Sequence, residues 1–241
     1  MRALPLLLIA LAGCQRDQWD DCVTSTGSMR TEQRSVGGFS TIELSDRIDL
    51  LLEERAPGTI AVEAGANLIA QVSTVASDGV LRIGNRNRCN WVRSFRPRIT
   101  VRAPVQGLCS LVVRGTGHVA CRDTLRCDLF HLEQWDAEGD CRLLYSGQRI
   151  DIGLHSGAGA GIVQGRCETA FLYSGIMGGI DASGLRAGTV NINNSGVADF
   201  HCWAVNELYA QLRSAGDVYY RGEPGLVESE IAGSGRLIKV D

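Results

Sequence analysis

The sequence predicts an all-β fold, a parallel β-helix with rungs of about 20 residues, and three observations lead there. One motif recurs from Cys109 to Val240, an apolar strand ending in a small-residue turn: LVVRGTG (111–117), IDIGLHSGAG (150–159), AFLYSG (170–175), VNINNSG (190–196), AQLRSAG (210–216) and IAGSG (231–235). The last inward apolar residue of each unit aligns as Val113, Leu132, Leu154, Leu172, Ile192, Leu212 and Ile231, at spacings of 19, 22, 18, 20, 20 and 19. Two positions earlier stand Leu111, Phe130, Ile152, Ala170, Val190, Ala210 and Ser229. That is period 2 inside a unit and a period near 20 between units. The third observation is 29 glycines in 241 residues, concentrated in the repeats, which points to many tight corners. One rung cannot bury its inward face alone, so neighbouring rungs must supply the contacts. An antiparallel sandwich is the competing architecture, but Asn-Gly and Asp-Gly hairpin turns are absent from the repeat region.

The chain begins with Arg2, an apolar run from Leu4 to Leu11 and small residues at Ala10–Gly13. The apolar stretch is too short to cross a bilayer, which needs about 20 residues, so residues 1–13 are expected to be a signal peptide. Leu11-Ala12-Gly13-Cys14 resembles the lipobox of bacterial lipoproteins. That resemblance implies cleavage before Cys14 and acylation of its thiol, and several acyl chains hold a protein on a membrane. With Gln15 rather than aspartate next, it also implies an outer-membrane address, facing the periplasm or the outside. Residues 14–35 are polar and without periodicity, and are expected to form a flexible tether that Cys22 pins to the domain.

A single domain is expected over 36–241, less regular at 36–105 and built of regular rungs at 106–241. From Val36, VGGFSTIELSDRIDLLLEE alternates apolar and polar residues. Turns are expected at Ala56-Pro57-Gly58 and Ser77-Asp78-Gly79. TIAVEAG, VLRIGN and PRITVRAP are expected strands, while NLIAQVSTV suits either a strand or a short helix.

A net charge of −3 argues against a nucleic-acid partner, and Lys239, the single lysine, leaves little room for lysine chemistry. Arginines gather at 82–102. Arg86, Arg88, Trp91, Arg93, Arg96 and Arg98 are the candidate binding residues there, since guanidinium forks suit the phosphate of a lipid or the carboxylate of a sugar. The competing reading is a solvated loop whose arginines pair with acids elsewhere.

Nine cysteines point to an oxidising compartment. Cys109 with Cys127 and Cys121 with Cys141 are spaced close to one rung, and strands ~4.8 Å apart fall within disulfide reach. Cys22 with Cys89 and Cys167 with Cys202 follow only by elimination. No CxxC or HxxxH is present, and neither a metal nor another cofactor is expected. His118, His131, His155 and His201 fall at different offsets from the repeat anchor, which places no two on one ladder beside a carboxylate. Asp136, Glu138 and Asp140 share one turn, and Trp135, Tyr145, Tyr173, Trp203, Tyr209, Tyr219 and Tyr220 are either stacking platforms for sugars or packing residues.

The opening VGGFSTIELSDRIDLLLEE, SDGVLRI at 77–83, ITVRAPVQGLCSLVVRGTGHV at 99–119 and GSGRLIKV at 233–240 resemble the head GIN domain of bacterial auto-transporter adhesins, over Val36 to Asp241. The resemblance implies a right-handed parallel β-helix, often carried on a lipoprotein, and no enzymatic activity to transfer. The cysteines and the arginine-rich insertion at 84–98 depart from it. The functional expectation is a non-catalytic envelope lipoprotein, acting as a binding, adhesion or structural module on a polysaccharide or an envelope protein. The alternative is a carbohydrate-active enzyme, a lyase or hydrolase, which needs two carboxylates and an Arg or His converging in one groove.

Overall fold

The computed structural model describes residues 25–87 and 98–241. It is a β-solenoid of about 6 turns with rungs about 20 residues apart, as the sequence predicts. Its strands form one continuous sheet. The early ones are β1 (Met29–Ser35), β2 (Thr41–Leu44), β3 (Ile48–Glu53), β4 (Thr59–Gly65), β5 (Val72–Ser77), β6 (Val80–Asn85) and β7 (Ile99–Pro104). The rungs proper follow: β8 (Ser110–Gly115), β9 (Val119–Cys121), β10 (Leu129–Ala137), β11 (Cys141–Ser146), β12 (Arg149–Leu154), β13 (Gly161–Ser174), β14 (Ile180–Asn194), β15 (Phe200–Leu212), β16 (Val218–Arg221), β17 (Leu226–Ile231) and β18 (Leu237–Lys239).

Parallel pairing builds two stacks. The first runs β6–β2–β8–β10–β12–β13–β14–β15–β17. The second runs β7–β3–β9–β11–β13–β14–β15–β16–β18. Strands β13, β14 and β15 are long enough to serve both stacks.

The core ladder is Leu111, Leu132, Ile152, Leu172, Ile192 and Ala210, all buried. This corrects the expected alignment by two residues in three rungs. Val113 stacks on Gln134, which leads through Leu154, Ser174 and Asn194 to Leu212 and Ile231. Apolar patterning loses these rungs because their last inward residue is polar. Gln134 Nε2 donates to Gly139 O (3.2 Å), Ser174 Oγ to Gly178 O (2.8 Å) and Asn194 Nδ2 to Ala198 O (2.9 Å). Each satisfies a carbonyl of the corner that follows it, which a buried turn otherwise leaves unpaired. At the corners themselves the chain passes very close to the rung below. Gly157 has φ +103°, and a Cβ there would lie 2.1 Å from Ala137 O.

The N-terminal region departs from sequential stacking. Rung β2–β3 lies between β6–β7 and β8–β9, so chain order and stacking order differ. Strands β4 and β7 pair antiparallel, and β4 buries Ile60, Val62 and Ala64. The expected tether at 14–35 is corrected over Met29–Ser35, which is strand β1, paired antiparallel along the whole of β4. Arg34 secures it, donating to Val72 O (2.6 Å) and Ile69 O (2.9 Å). The ambiguous NLIAQVSTV resolves into a single 3-10 turn, Ile69–Gln71, followed by β5. The expected turn at Asp78-Gly79 joins β5 to β6 with positive φ at both residues (54° and 76°), the twist that suits a two-residue hairpin.

Candidate functional site

Stacking brings residues about 20 apart onto neighbouring strands, and on the outer face of the first stack this creates a groove. One outward ladder is His131, Asp151, Phe171, Asn191 and Tyr209. The adjacent one is Glu133, Gly153, Tyr173, Asn193 and Gln211. The groove they line encloses about 520 Å³.

Gly153 is the opening in the second ladder. A Cβ there would sit 2.6 Å from His155 Nε2, so only glycine lets the His155 ring reach back to Glu133. That ring stacks on Trp135 (centroids 4.0 Å, 9°) and leans on Tyr173 (5.4 Å, 44°). Arg114 lies over the Trp135 ring at 5.7 Å. At the next rung Arg149 holds Asp151 through both oxygens (2.8 and 3.0 Å) and covers Phe171 at 4.2 Å, while His131 Nδ1 stands 3.4 Å from Asp151. Among the described residues no two histidines share a ladder, yet two of them meet carboxylates one by one: His131 stacks on Asp151, and His155 meets Glu133 across Gly153. Irregular corners shift the offset between rungs, and only the register reveals the alignment.

The remaining predicted aromatics divide clearly. Tyr145 is a core residue, with its hydroxyl donating to Arg149 O (2.7 Å) beside Cys127 O (2.9 Å). His201 and Tyr219 stack on the second face, 4.9 Å apart. Trp203 carries Arg221 over its ring at 4.1 Å. The acidic turn at 135–140 serves its corner. Asp136 takes φ 51° and its N–H donates to Ser156 Oγ (2.7 Å), while the Asp140 N–H donates to His118 Nδ1 (3.1 Å). Among the described residues no group of three or more His, Cys, Asp or Glu is arranged to hold a metal ion.

Of the candidate binding residues, Arg88, Trp91, Arg93 and Arg96 lie outside the described residues, as do Cys14, Cys22 and Cys89. Arg98 pairs with Asp49 (3.1 Å), and the Arg86 N–H donates to Gln71 O (2.9 Å). Nearby Arg82 pairs with Glu43 (3.0 Å), and Arg102 with Glu63 (3.2 Å) and Glu53 (3.6 Å). Three of the four described arginines of this stretch, Arg82, Arg98 and Arg102, are ion-paired.

All six described cysteines are free thiols. Cys109 and Cys127 face each other, and burial, then the Cys109 thiol itself, push the Cys127 pKa up to about 12. Cys141 stacks on Val119, so Cys121 is only its diagonal neighbour, roughly 7–8 Å away. That lies past the usual Cα reach of a disulfide, about 4.4–6.8 Å. The Cys167–Cys202 pairing is overturned by register. Cys167 stacks on Ala187 and Cys202 on Ala182, two strands apart and on different ladders.

The family profile described as "putative auto-transporter adhesin, head GIN domain" matches residues 38–224. Among solved structures, a "putative adhesin" from Bacteroides fragilis is 19% identical, with 88% of this chain and 97% of that one covered at a TM-score of 0.79. A "putative adhesin" from Parabacteroides merdae is 18% identical, covering 90% and 98% at 0.68. A "putative lipid binding protein" from Parabacteroides distasonis is 19% identical, covering 90% and 98% at 0.64. At these identities the likeness is one of fold. No curated protein matches the chain. By the sequence profile, which spans most of its length, the chain belongs to the head GIN domain family of auto-transporter adhesins.

Proposed function

We propose that this protein is a non-catalytic adhesion module of the bacterial cell envelope, lipid-anchored at Cys14, that binds carbohydrate in the groove of its first stack. The observation that carries the reading is the groove lining: the Phe171, Tyr173 and Tyr209 rings beside the Asn191, Asn193 and Gln211 amides on a rigid sheet, with Trp135 stacked on the lining residue His155 at its edge. Rings offer apolar faces to sugars and amides offer paired donors and acceptors to hydroxyls. Membership of an adhesin family and an N-terminus that resembles a lipoprotein signal support the same reading. Among the described residues no helix is long and apolar enough to cross a membrane.

A carbohydrate-active enzyme is the second reading, and one observation favours it. Glu133 and Asp151 line the groove with His155 and Arg149, and His131 stands beside Asp151, the combination such an enzyme needs. Against turnover, both carboxylates already have partners: Asp151 is held by Arg149 and His131, and Glu133 by His155. A glycan-binding screen with an assay for released fragments separates the two. Saturable binding without fragments, lost in Trp135→Ala and Tyr173→Ala, is the expected result. Fragment release abolished by Glu133→Gln would establish the enzyme instead.

Cys109 and Cys127 are proposed to close as a disulfide in the envelope. The two thiols give up two protons and two electrons to a disulfide-bearing oxidant, which is reduced to its dithiol.

A further inference from the structure

At the corner where the second stack turns toward the first, the register lines up one outward position on successive strands. Ser146 donates its N–H to Leu125 O (3.0 Å), which sets Arg126 against Ser146. From there the ladder continues through Arg166, Arg186 and Trp203 to Arg221. Five strand steps span roughly 24 Å along the solenoid axis.

Four of these six positions are arginine, and among the described residues none of the four is in an ion pair. Arg126, Arg166 and Arg186 are exposed. Arg166 Nε donates to Ser146 Oγ (3.3 Å). Arg221 lies over Trp203, and its Nε is buried without a hydrogen-bond partner. Arg166 and Arg186 stack directly, and like charges opposite each other in a sheet are destabilising. Many arginines elsewhere are matched with acids, as at Arg82, Arg98, Arg102, Arg149 and Arg236, but among the described residues no other ladder stacks unpaired arginines on one another. Glu168 borders the same depression as Arg166 and Arg186 without pairing with either. A local conflict that the fold sustains without a visible structural gain marks a functional position.

We propose that this corner binds an acidic polysaccharide laid along the solenoid axis, with its carboxylates taken by the guanidinium forks of Arg126, Arg166, Arg186 and Arg221. Fork geometry matches carboxylate. The charges run in single file at intervals of one or two strands, which fits a linear polymer, whereas an anionic bilayer favours a broad basic patch. The corner lies outside the aromatic groove, so the two sites stand or fall separately.

The test uses the chain carrying Cys14→Ser, so that no acyl anchor inserts into lipid, in detergent-free buffer, titrated with polygalacturonate, with uncharged dextran and with phosphatidylglycerol vesicles. Polygalacturonate is expected to bind, more weakly as salt rises, and dextran not to compete for this site. Arg166→Gln/Arg186→Gln is expected to weaken that binding about tenfold or more. Arg82→Gln/Arg98→Gln, at paired positions, is expected to stay within about twofold. Unchanged affinity in the ladder variant, or an equal loss in the control, overturns the proposal. Tighter binding to the vesicles than to polygalacturonate also overturns it, in favour of a lipid surface. Thermal melting of Arg166→Gln/Arg186→Gln at or above the parent temperature shows that lost binding is not lost folding.

Discussion

Two arginine-bearing surfaces of this protein behave in opposite ways. In the stretch at 82–102, Arg82, Arg98 and Arg102 each find a carboxylate on another strand, between 39 and 49 residues away. At the corner, Arg126, Arg166, Arg186 and Arg221 come from four separate strands or turns, and none is paired among the described residues. The first surface is conspicuous in sequence, and Arg82, Arg98 and Arg102 of its described part are neutralised in space. The second is scattered in sequence and concentrated in space. Local density of charge therefore says little here, because a solenoid gathers its surface from residues one rung apart.

The largest expected effect removes the corner altogether. Gly165, just before Arg166, has φ +125°, and a Cβ there would lie 2.0 Å from Tyr145 O. Gly165→Ala combines backbone strain with overpacking and is expected to cost at least about 3 kcal/mol by denaturant unfolding. Gly84→Ala, in the arginine-rich stretch, meets only Asp46 Oδ2 at 3.4 Å and should stay within about 0.5 kcal/mol. Equal losses at the two glycines would break the contrast.

Next comes the staple beside Arg126. Protein purified from the envelope should contain a Cys109–Cys127 disulfide, visible as a two-proton mass difference on reduction. Its loss in Cys109→Ser/Cys127→Ser should cost about 3 kcal/mol, as expected for a loop of this size. The raised pKa of Cys127 leaves little thiolate in the folded state, so closure is expected during folding rather than after it. A free thiol at Cys127 in native protein would sink this prediction.

Tyr145→Phe probes the support under the ladder. The hydroxyl of this fully buried side chain donates to Arg149 O at 2.7 Å, so its removal is expected to cost about 1–3 kcal/mol. The smallest effects sharpen the comparison most. Arg82→Gln should lose about 0.2–1 kcal/mol, the value of an exposed ion pair. Arg186→Gln should instead gain a few tenths of a kcal/mol by relieving its stacked neighbour. The same sign at both positions would mean that the ladder carries no repulsion.

Much of the architecture is legible in the residues, and the exceptions have specific causes. The corner at Gly157 and the hairpin at Asp78-Gly79 are readable because they need backbone conformations few residues adopt, and the corner at Gly117 because a Cβ there would run into Ile48 O. Strand β1 is not, since MRTEQRS is exposed on nearly every residue and has no apolar face to betray it. Its order comes from backbone pairing with β4 and from Arg34. The His155–Glu133 contact is hidden for a related reason: it crosses between ladders over Gly153, and residue spacing alone does not reveal it.

What the sequence determined by itself is the period. Alternation inside each strand and recurrence near 20 residues admit few solutions other than stacked parallel rungs, because a half-apolar strand must bury its face on a neighbour of the same kind. What only the tertiary structure decided is which residues meet. Gln134, Ser174 and Asn194 shift the alignment by satisfying buried carbonyls, the N-terminal rung inserts out of order, and both the aromatic groove and the arginine corner follow from the resulting register. A ladder is defined by hydrogen bonds between strands, and no local property of either strand contains it.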